Sequence, residues 1–242
     1  MSTPSFRFKQ FEVWHDQCAM KVGTDAVLLG AWCPLLPAAL TPSAMVLDIG
    51  TGSGIIALML AQRIHQSSVH IDAIDMDANA FVQATKNFRL SPWSQQLFAQ
   101  HCSLQQFVSG TRYALIVSNP PYFVDSLKNP DKGRELARHT DSLSYAELVQ
   151  SAAAMLQDEG LLALILPSEA EATIMQLAAE NGLSLYRLTR VYSKPGKPCK
   201  RILIALQKST KKRAPEQDTL YIESDTAPRS SAYVALTQDF YL

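Results

Sequence analysis

The sequence has 242 residues, 47% of them hydrophobic, and its 22 basic side chains balance 22 acidic ones. This is too much apolar material for a disordered chain, and it suits one α/β domain with decorations. No apolar run reaches the roughly 18 residues of a membrane span, the amino end lacks the apolar segment of a signal peptide, and the four cysteines form no CxxC pair. We therefore expect a cytoplasmic protein that binds no metal ion.

From residue 44 onward, short apolar runs alternate with helical patterns. The predicted strands cover 44–49, 69–74, 96–99, 113–118, 160–166 and 201–207. The predicted helices cover 53–64, 77–88 and 168–181, and a further helix opens at Ser144 with a capping box to Glu147. Strands that are apolar on both faces and separated by helices are typical of a parallel sheet covered on both sides. The sequence thus predicts a doubly wound, Rossmann-like α/β domain over residues 44–242.

Two segments fall outside this alternation. Residues 1–43 carry several aromatic side chains, among them Phe6, Phe8 and Phe11, which we interpret as packing groups. We expect these residues to form a short N-terminal extension that caps the cofactor and substrate site. Residues 122–143 form a long polar connection after the end of a strand, where doubly wound folds bind ligands. A connection of this length is usually functional or mobile.

The basic residues are unevenly distributed along the chain. Ten of them, and no acidic residue, lie between Arg187 and Arg213. Such asymmetry is typical of a face that binds a polyanion, although charge alone is equally consistent with a solvated surface. The densest part, KPGKPCKR, is a loop by its prolines and glycine and favours nucleic acid. Its candidate phosphate ligands are Lys194, Lys197, Lys200 and Arg201.

Three evenly spaced glycines follow the first predicted strand, in the run DIGTGSG that begins at Asp48. Glycines here permit a tight turn and let backbone amides approach a ligand closely. A P-loop is excluded because no Lys-Ser or Lys-Thr follows the last glycine. The form DxGxGxG is the one used for S-adenosylmethionine, and Asp75, after the second strand, can accept both ribose hydroxyls. A purely structural glycine turn is the alternative.

The run Asn119-Pro120-Pro121-Tyr122 follows the strand 113–118. An exocyclic amino group of adenine, like an amide nitrogen, is a poor nucleophile because its lone pair is delocalised. The Asn119 side-chain oxygen and the Pro120 carbonyl can accept both amino hydrogens, which favours a pyramidal nitrogen with its lone pair aimed at the methyl group. The prolines stiffen the backbone, and Tyr122 offers a face for stacking a flipped base. NPPY alone fits a rigid turn, but together with DxGxGxG it indicates methyl transfer to an amino group.

These motifs and both ends of the chain resemble a known family. The amino-terminal run FRFKQFEVWHDQCAMKVGTDAVLLGAW and the closing SSAYVALTQDFYL extend the likeness over nearly the whole chain. The sequence resembles the bacterial tRNA1(Val) adenine-N6 methyltransferases, a family of class I S-adenosylmethionine-dependent methyltransferases. The resemblance implies a seven-stranded sheet ending in an antiparallel hairpin. It also implies N6 methylation of the adenine just 3′ of the anticodon.

The motifs and the resemblance together nominate the site residues. The expected cofactor-binding residues are Thr24, Asp25, Asp48, Gly50, Gly52, Gly54, Asp75, Met76, Ser103 and Asn119. The expected catalytic residues are Asn119, Pro120, Pro121 and Tyr122. The expected substrate-binding residues are Tyr122, Arg138, Lys194, Lys197, Lys200 and Arg201. In the family an acidic residue commonly stands where this chain has Ser103, so we expect somewhat weaker cofactor binding.

Three alternatives stay open at this point. The same NPPY chemistry serves N5 methylation of a glutamine in a protein such as a release factor, but those enzymes carry a separate N-terminal helical domain for which 43 residues leave no room. A DNA adenine methyltransferase normally needs an additional target-recognition region. A non-catalytic RNA-binding protein that kept the fold would not need Asn119, Pro120 and Tyr122. We expect tRNA as the partner, no membrane or stable protein partner, and a monomer.

Overall fold

A computed structural model of the protein describes residues 4–18, 21–36, 43–64, 68–121, 143–211 and 213–242. The strands in these ranges are β1 (Ser5–Arg7), β2 (Glu12–Trp14), β3 (Met45–Ile49), β4 (His70–Asp75), β5 (Leu97–His101), β6 (Tyr113–Ser118), β7 (Leu156–Pro167), β8 (Ser184–Tyr192), β9 (Cys199–Gln207) and β10 (Glu216–Tyr221). The helices are α1 (Thr24–Trp32), α2 (Ile55–Arg63), α3 (Ala78–Leu90), α4 (Tyr145–Met155), α5 (Glu171–Glu180) and α6 (Ser231–Thr237).

Eight of the described strands form one sheet in the order β10-β8-β9-β7-β6-β3-β4-β5. Strands β5, β4, β3, β6 and β7 are parallel, whereas β9 is antiparallel to both β7 and β8. The chain moves outward from β3 through β4 to β5 and then returns to β6 on the other side of β3. The strand order therefore reverses between β3 and β6, and ligands bind outside the carboxyl ends of the strands at such a switch point.

The predicted fold class is confirmed, with one strand more than the seven expected. The additional strand, β10, pairs in parallel with β8 at the edge of the sheet. Five of its six residues are exposed, so its sequence EQDTLY lacks a buried apolar run of the kind that β3, β6 and β9 contain. The predicted capping box of α4 is present, because Ser144 and Glu147 bond reciprocally to each other's backbone amides.

The centre of the sheet is buried on both faces, as its apolar strands predict. Every residue of β6 is buried, and so is the run 160–166 of β7. One apolar cluster, which includes Val46 and Leu58, joins the sheet to α1, α2 and the N-terminal hairpin. The second, which includes Leu47 and Ile174, joins the opposite face to α4 and α5. The site at the strand ends therefore rests on a rigid, doubly covered scaffold.

The N-terminal aromatic residues are packing groups, as expected. The hairpin of β1 and β2 lies against the carboxyl end of the chain, where the rings of Phe8 and Tyr241 stack with centroids 5.9 Å apart. The backbone N–H of Lys9 also donates to the carbonyl of Phe240 at 2.8 Å. The following segment forms α1, a helix that the sequence pattern does not predict, and Trp32 at its end donates from Nε1 to the Thr189 hydroxyl at 2.7 Å.

Candidate active site

The glycine turn after β3 lies at the switch point of the sheet. Gly50 and Gly52 have φ values of 69° and 56°, which belong to the left-handed region that glycine adopts without strain. A Cβ at either residue would meet no other atom within 4 Å. The turn is fixed from behind, because the N–H groups of Gly50 and Thr51 both donate to the carbonyl of Ile74. The backbone of the turn therefore faces an open space with no side chain in between.

Asp75 connects this turn to the end of β4. Its Oδ2 accepts from the backbone N–H of Gly52 at 2.8 Å, and its Oδ1 accepts from the N–H of Asp77 at 2.9 Å. A carboxylate has about four acceptor sites, so each oxygen retains capacity for a further donor. The carboxylate therefore braces the glycine turn and can accept hydroxyl groups of a ligand as well.

A cavity of about 410 Å³ opens beside Asp75. It is lined by Cys18, Ile49, Gly50, Gly52, Ile74, Asp75, Met76, Asp77, Ala80, Cys102, Ser103, Leu104, Gln105, Asn119, Pro121 and Leu143. Apolar side chains such as Ile49, Ile74 and Leu104 form walls suited to an aromatic base. The carboxylate of Asp75 and the hydroxyl of Ser103 add polar groups. The residues present fit the adenosine part of S-adenosylmethionine.

A second cavity of about 330 Å³ lies on the other side of the glycine turn. It is lined by Lys21, Gly23, Thr24, Asp25, Ala26, Gly50, Thr51, Gly52, Ser53, Ile55, Ile56, Asn119, Pro120 and Pro121. Four of these residues also line the first cavity, namely Gly50, Gly52, Asn119 and Pro121. The two cavities therefore meet at the glycine turn and the start of NPPY.

Asn119 stands at this junction and follows directly on β6. Its side-chain amide makes no hydrogen bond to another residue of the described ranges, and the side chain is only partly buried. The preceding Ser118 is fixed, since its hydroxyl donates to the carbonyl of Ile49 at 2.8 Å. An amide oxygen and NH₂ group are thus held in position by the sheet and remain available to a ligand.

The structure brings most of the predicted site residues together. Thr24 and Asp25 line the second cavity, and Met76 lines the first. Asp48 and Gly54 line neither cavity and support the glycine turn from its buried side. Tyr122 and Arg138 lie outside the described residues. The motifs in the sequence did not indicate the apolar wall residues or Cys18 and Gln105, although several of them adjoin the ends of predicted strands.

Asp48 is fully buried beneath the glycine turn. Its Oδ2 accepts a hydrogen bond from the Thr51 hydroxyl at 2.7 Å, which links the end of β3 to the turn. Burial raises the pKa of Asp48 from its ordinary value near 3.8 to about 7, and the Thr51 hydroxyl opposes part of this shift. Asp48 therefore supports the turn from within the core rather than contacting a ligand in either cavity.

We expect Asp48→Asn to change how stability depends on pH. Because the pKa of Asp48 is raised by folding, the native protein binds this proton more tightly than the unfolded chain does. The free energy of unfolding of the wild type should fall as pH rises from about 4 through 7, whereas the variant lacks this contribution. Relative to wild type, the variant should gain up to about 2 kcal/mol between pH 5 and pH 8. Urea unfolding of both proteins measures this, and a pH-independent difference would contradict it.

The interpretation of residues 187–213 as one basic face is wrong for a large part of this segment. Five of the cations form ion pairs: Arg187 with Asp218, Arg190 with Glu171, Arg201 with Asp25, Lys211 with Glu159 and Arg213 with Glu216. A sixth, Lys208, donates from Nζ to the carbonyls of Ala153 and Leu156 at the end of α4. Most of these partners are distant in sequence, so the local sequence does not reveal that the cations are neutralised.

Within residues 187–213, the exposed cations that form no ion pair with another described residue lie in or next to the turn between β8 and β9. Lys194, Lys197 and Lys200 are exposed, and none forms an ion pair with another residue of the described part of the chain. Arg201 pairs in register with Pro167, the last residue of β7. Since β7 is parallel to β6, this turn lies at the same edge of the sheet as Asn119. We call residues 193–200 the lysine turn.

Two further observations concern metals and membranes. In the described ranges, no group of three or more His, Cys, Asp or Glu side chains is arranged to hold a metal ion. Among the helices of those same ranges, none has the length and apolar character to cross a bilayer.

Solved structures show the same fold. A predicted O-methyltransferase from Agrobacterium tumefaciens superimposes with a TM-score of 0.64 at 16% identity, covering 89% of this chain and 96% of its own. A putative class I S-adenosylmethionine-dependent methyltransferase from Listeria monocytogenes gives 0.57 at 13% identity, covering 87% of this chain and 65% of its own. The family model of the methyltransferase small domain matches residues 33–180. The protein is thus a class I methyltransferase, and S-adenosylmethionine is its methyl donor.

Curated relatives define the family more closely. A protein from Phocaeicola vulgatus is 45% identical over 242 residues, covering 100% of this chain and 99% of its own. A protein from Trichodesmium erythraeum is 44% identical over 244 residues, with the same coverage. Both are named tRNA1(Val) (adenine(37)-N6)-methyltransferase. The chain belongs to this family.

Proposed function

We propose that this protein transfers a methyl group from S-adenosylmethionine to N6 of adenine 37 in tRNA1(Val). The observation that carries the proposal is the amide of Asn119, which lies at the junction of the two cavities and makes no hydrogen bond to the described residues. An amide oxygen at that point accepts one N6 hydrogen, and the Pro120 carbonyl accepts the other. Family membership at 45% identity supports the same acceptor.

The donor, when bound, supplies an electrophilic methyl group on a sulfonium centre. The apolar walls of the first cavity would hold the adenosine part, and the carboxylate of Asp75 would accept its ribose hydroxyls. The second cavity, with Thr24 and Asp25 in its wall, would receive the amino-acid part and so bring the methyl group to the junction of the two cavities. Ser103 would accept a hydrogen bond from the adenine amine without the additional strength of a charged acceptor.

The protein accelerates the reaction by orientation. With both N6 hydrogens bound, the nitrogen lone pair no longer conjugates fully with the ring and points toward the methyl group. Positioning of this kind corresponds to effective molarities of about 10⁵ M or more. No strong base is needed, because the nitrogen becomes acidic on methylation and then loses its proton to water. The target base must leave its stack, which costs least in a single-stranded loop such as the anticodon loop.

The lysine turn is the proposed contact with the tRNA backbone. Its three exposed ammonium groups lie at the edge of the sheet that bears Asn119, so a bound tRNA can reach both at once. Phosphate contacts of this kind position a nucleic acid without reading its sequence. Arg187, Arg190, Lys211 and Arg213 are paired with carboxylates and do not belong to this contact.

Replacing Lys194, Lys197 and Lys200 together by Gln should raise the KM for tRNA by about 10- to 100-fold. The dependence of binding on salt should weaken as well, by about 0.7–0.9 in logarithmic slope for each phosphate that the variant no longer neutralises. Steady-state kinetics at several salt concentrations measure both effects. The matched control is Arg187→Gln with Arg190→Gln, whose cations are paired, and it should leave the KM for tRNA within twofold. If the lysine variant and the arginine control raised the KM for tRNA equally, the assignment of the lysine turn to tRNA binding would be contradicted.

The proposed reaction is tested with purified protein, labelled S-adenosylmethionine and unmodified tRNA, with DNA and a release factor in parallel. Products are digested and identified by mass. We expect N6-methyladenosine at position 37 of tRNA1(Val) alone. Label on a glutamine of the release factor, or on DNA, would overturn the proposal.

We also propose a monomer without a stable protein partner, acting in the cytoplasm, where tRNA is found. The support is that residues of a single chain line both cavities. Sedimentation of the protein, alone and with tRNA, tests this, and a dimer at catalytic concentration would contradict it.

A further inference from the structure

Arg201 directly follows the lysine turn, but its guanidinium contacts the protein surface instead of extending into solvent. Its Nε donates to Oδ2 of Asp25 at 3.0 Å, and its Nη1 donates to the carbonyl of Lys200 at 2.9 Å. The side chains of Arg201 and Asp25 are 30% and 28% exposed. The guanidinium is thus folded against the protein, while the neighbouring lysines extend into solvent.

The backbone of Arg201 is held more firmly than the turn beside it. Arg201 pairs in register with Pro167 of β7 on one side and with Val191 of β8 on the other. The Ser168 hydroxyl also donates to the carbonyl of Cys199 at 2.9 Å. Because its backbone is bonded to a strand on each side, Arg201 can hold the side chain that it contacts in a fixed place. A residue of an exposed turn could not do so.

Asp25, the partner, lies in the first turn of α1 and lines the second cavity. The far end of α1 is anchored by two contacts, since Trp32 donates to Thr189 and Arg63 donates to the carbonyl of Gly30 at 2.7 Å. Arg201 contacts the other end, where α1 meets the cavity. The ion pair therefore fixes the cavity wall relative to the sheet.

We propose that Arg201 is a positioning residue for the methyl donor, acting through Asp25, and that it does not bind tRNA phosphate. This inference rests on the proposed function for the identity of the second cavity's occupant. A partly exposed ion pair contributes little to overall stability, so the effect of Arg201 falls on the placement of Asp25 and not on folding. The lysine turn thus contacts tRNA, whereas Arg201, the next residue in sequence, acts on the binding of the methyl donor.

The test compares Arg201→Gln with Lys197→Gln, a matched replacement of one cation in the same neighbourhood. Titration calorimetry with S-adenosylmethionine alone, without RNA, measures donor affinity directly. We expect Arg201→Gln to raise the donor Kd by about 5- to 20-fold, because the carboxylate that lines the cavity loses its orientation. The KM for tRNA should stay within twofold. Lys197→Gln should leave the donor Kd unchanged and raise the KM for tRNA.

Two further variants separate positioning from other roles. Arg201→Lys should recover part of the donor affinity, since an ammonium group still pairs with Asp25, although without the fixed direction of a guanidinium. In an Asp25→Asn background, Arg201→Gln should add little to the donor Kd, because the pair is already broken. A rise in the KM for tRNA with an unchanged donor Kd would overturn the proposal, as would no change in either. The donor titration contains no acceptor, so it stands even if the acceptor is not this tRNA.

Discussion

Asn119→Ala should lower kcat for tRNA methylation by at least about 100-fold, the scale seen when one preorganised hydrogen-bonding group is removed from an active site. In the proposed mechanism the amide oxygen of Asn119 accepts one N6 hydrogen, and without it the nitrogen lone pair stays conjugated with the ring. The donor Kd should change no more than a few-fold, because the adenosine cavity keeps its apolar walls and Asp75. Single-turnover assays and donor titration together measure the split between chemistry and binding.

A second variant and a control sharpen this prediction. Asn119→Asp keeps an oxygen acceptor at the junction, so it should retain an intermediate rate. Asn181→Ala removes an amide of the same size that donates to Leu177 at the end of α5, away from the cavities, and its kcat should match wild type. Normal turnover by Asn119→Ala would show that the amino group is held in another way.

Gly54→Ala should be the most destabilising of the substitutions considered, by about 2–4 kcal/mol. Gly54 has φ of 81° at the start of α2, a conformation that costs alanine about 1–2 kcal/mol. A Cβ there would also lie 2.4 Å from Cε1 of Phe88, a buried ring on α3 that has no room to withdraw. Urea unfolding measures the loss, and donor affinity should fall with it because Gly54 joins the glycine turn to α2.

Gly182→Ala provides the matched control for this prediction. Gly182 has φ of 70°, but a Cβ there would meet no atom within 4 Å. This variant should lose about 1 kcal/mol, the cost of the backbone conformation alone. Equal losses for the two variants would mean that the contact with Phe88 contributes nothing.

The parts of the site that follow strand ends could be predicted from the sequence. The buried runs of β3 and β6 identify themselves by apolar residues, and the motifs after them lie where parallel strands end. A doubly wound sheet brings those ends together. The sequence alone therefore predicts that Gly50, Asp75 and Asn119 surround one space. The chemistry follows from the residue types at these positions.

Other features depend on contacts that the local sequence does not encode. Helix α1 has Gly23 as its N-cap and so lacks a side-chain cap, and its residues from Ala26 to Trp32 are buried, so no amphipathic pattern reveals it. The charges of residues 187–213 can be counted in the sequence, but their carboxylate partners come from α5, β7 and β10. The ion pair of Arg201 likewise depends on Asp25, which precedes it by 176 residues.

The contact between the hairpin of β1 and β2 and the carboxyl end of the chain bears on how the protein is made. Ribosomes add about 5–20 residues per second, and Phe8 and Lys9 contact Tyr241 and Phe240, which are synthesised much later. The hairpin can therefore dock only after residues 240 and 241 have been synthesised. By then every strand of the large sheet, including those that end at the glycine turn and at Asn119, has already left the ribosome's active centre.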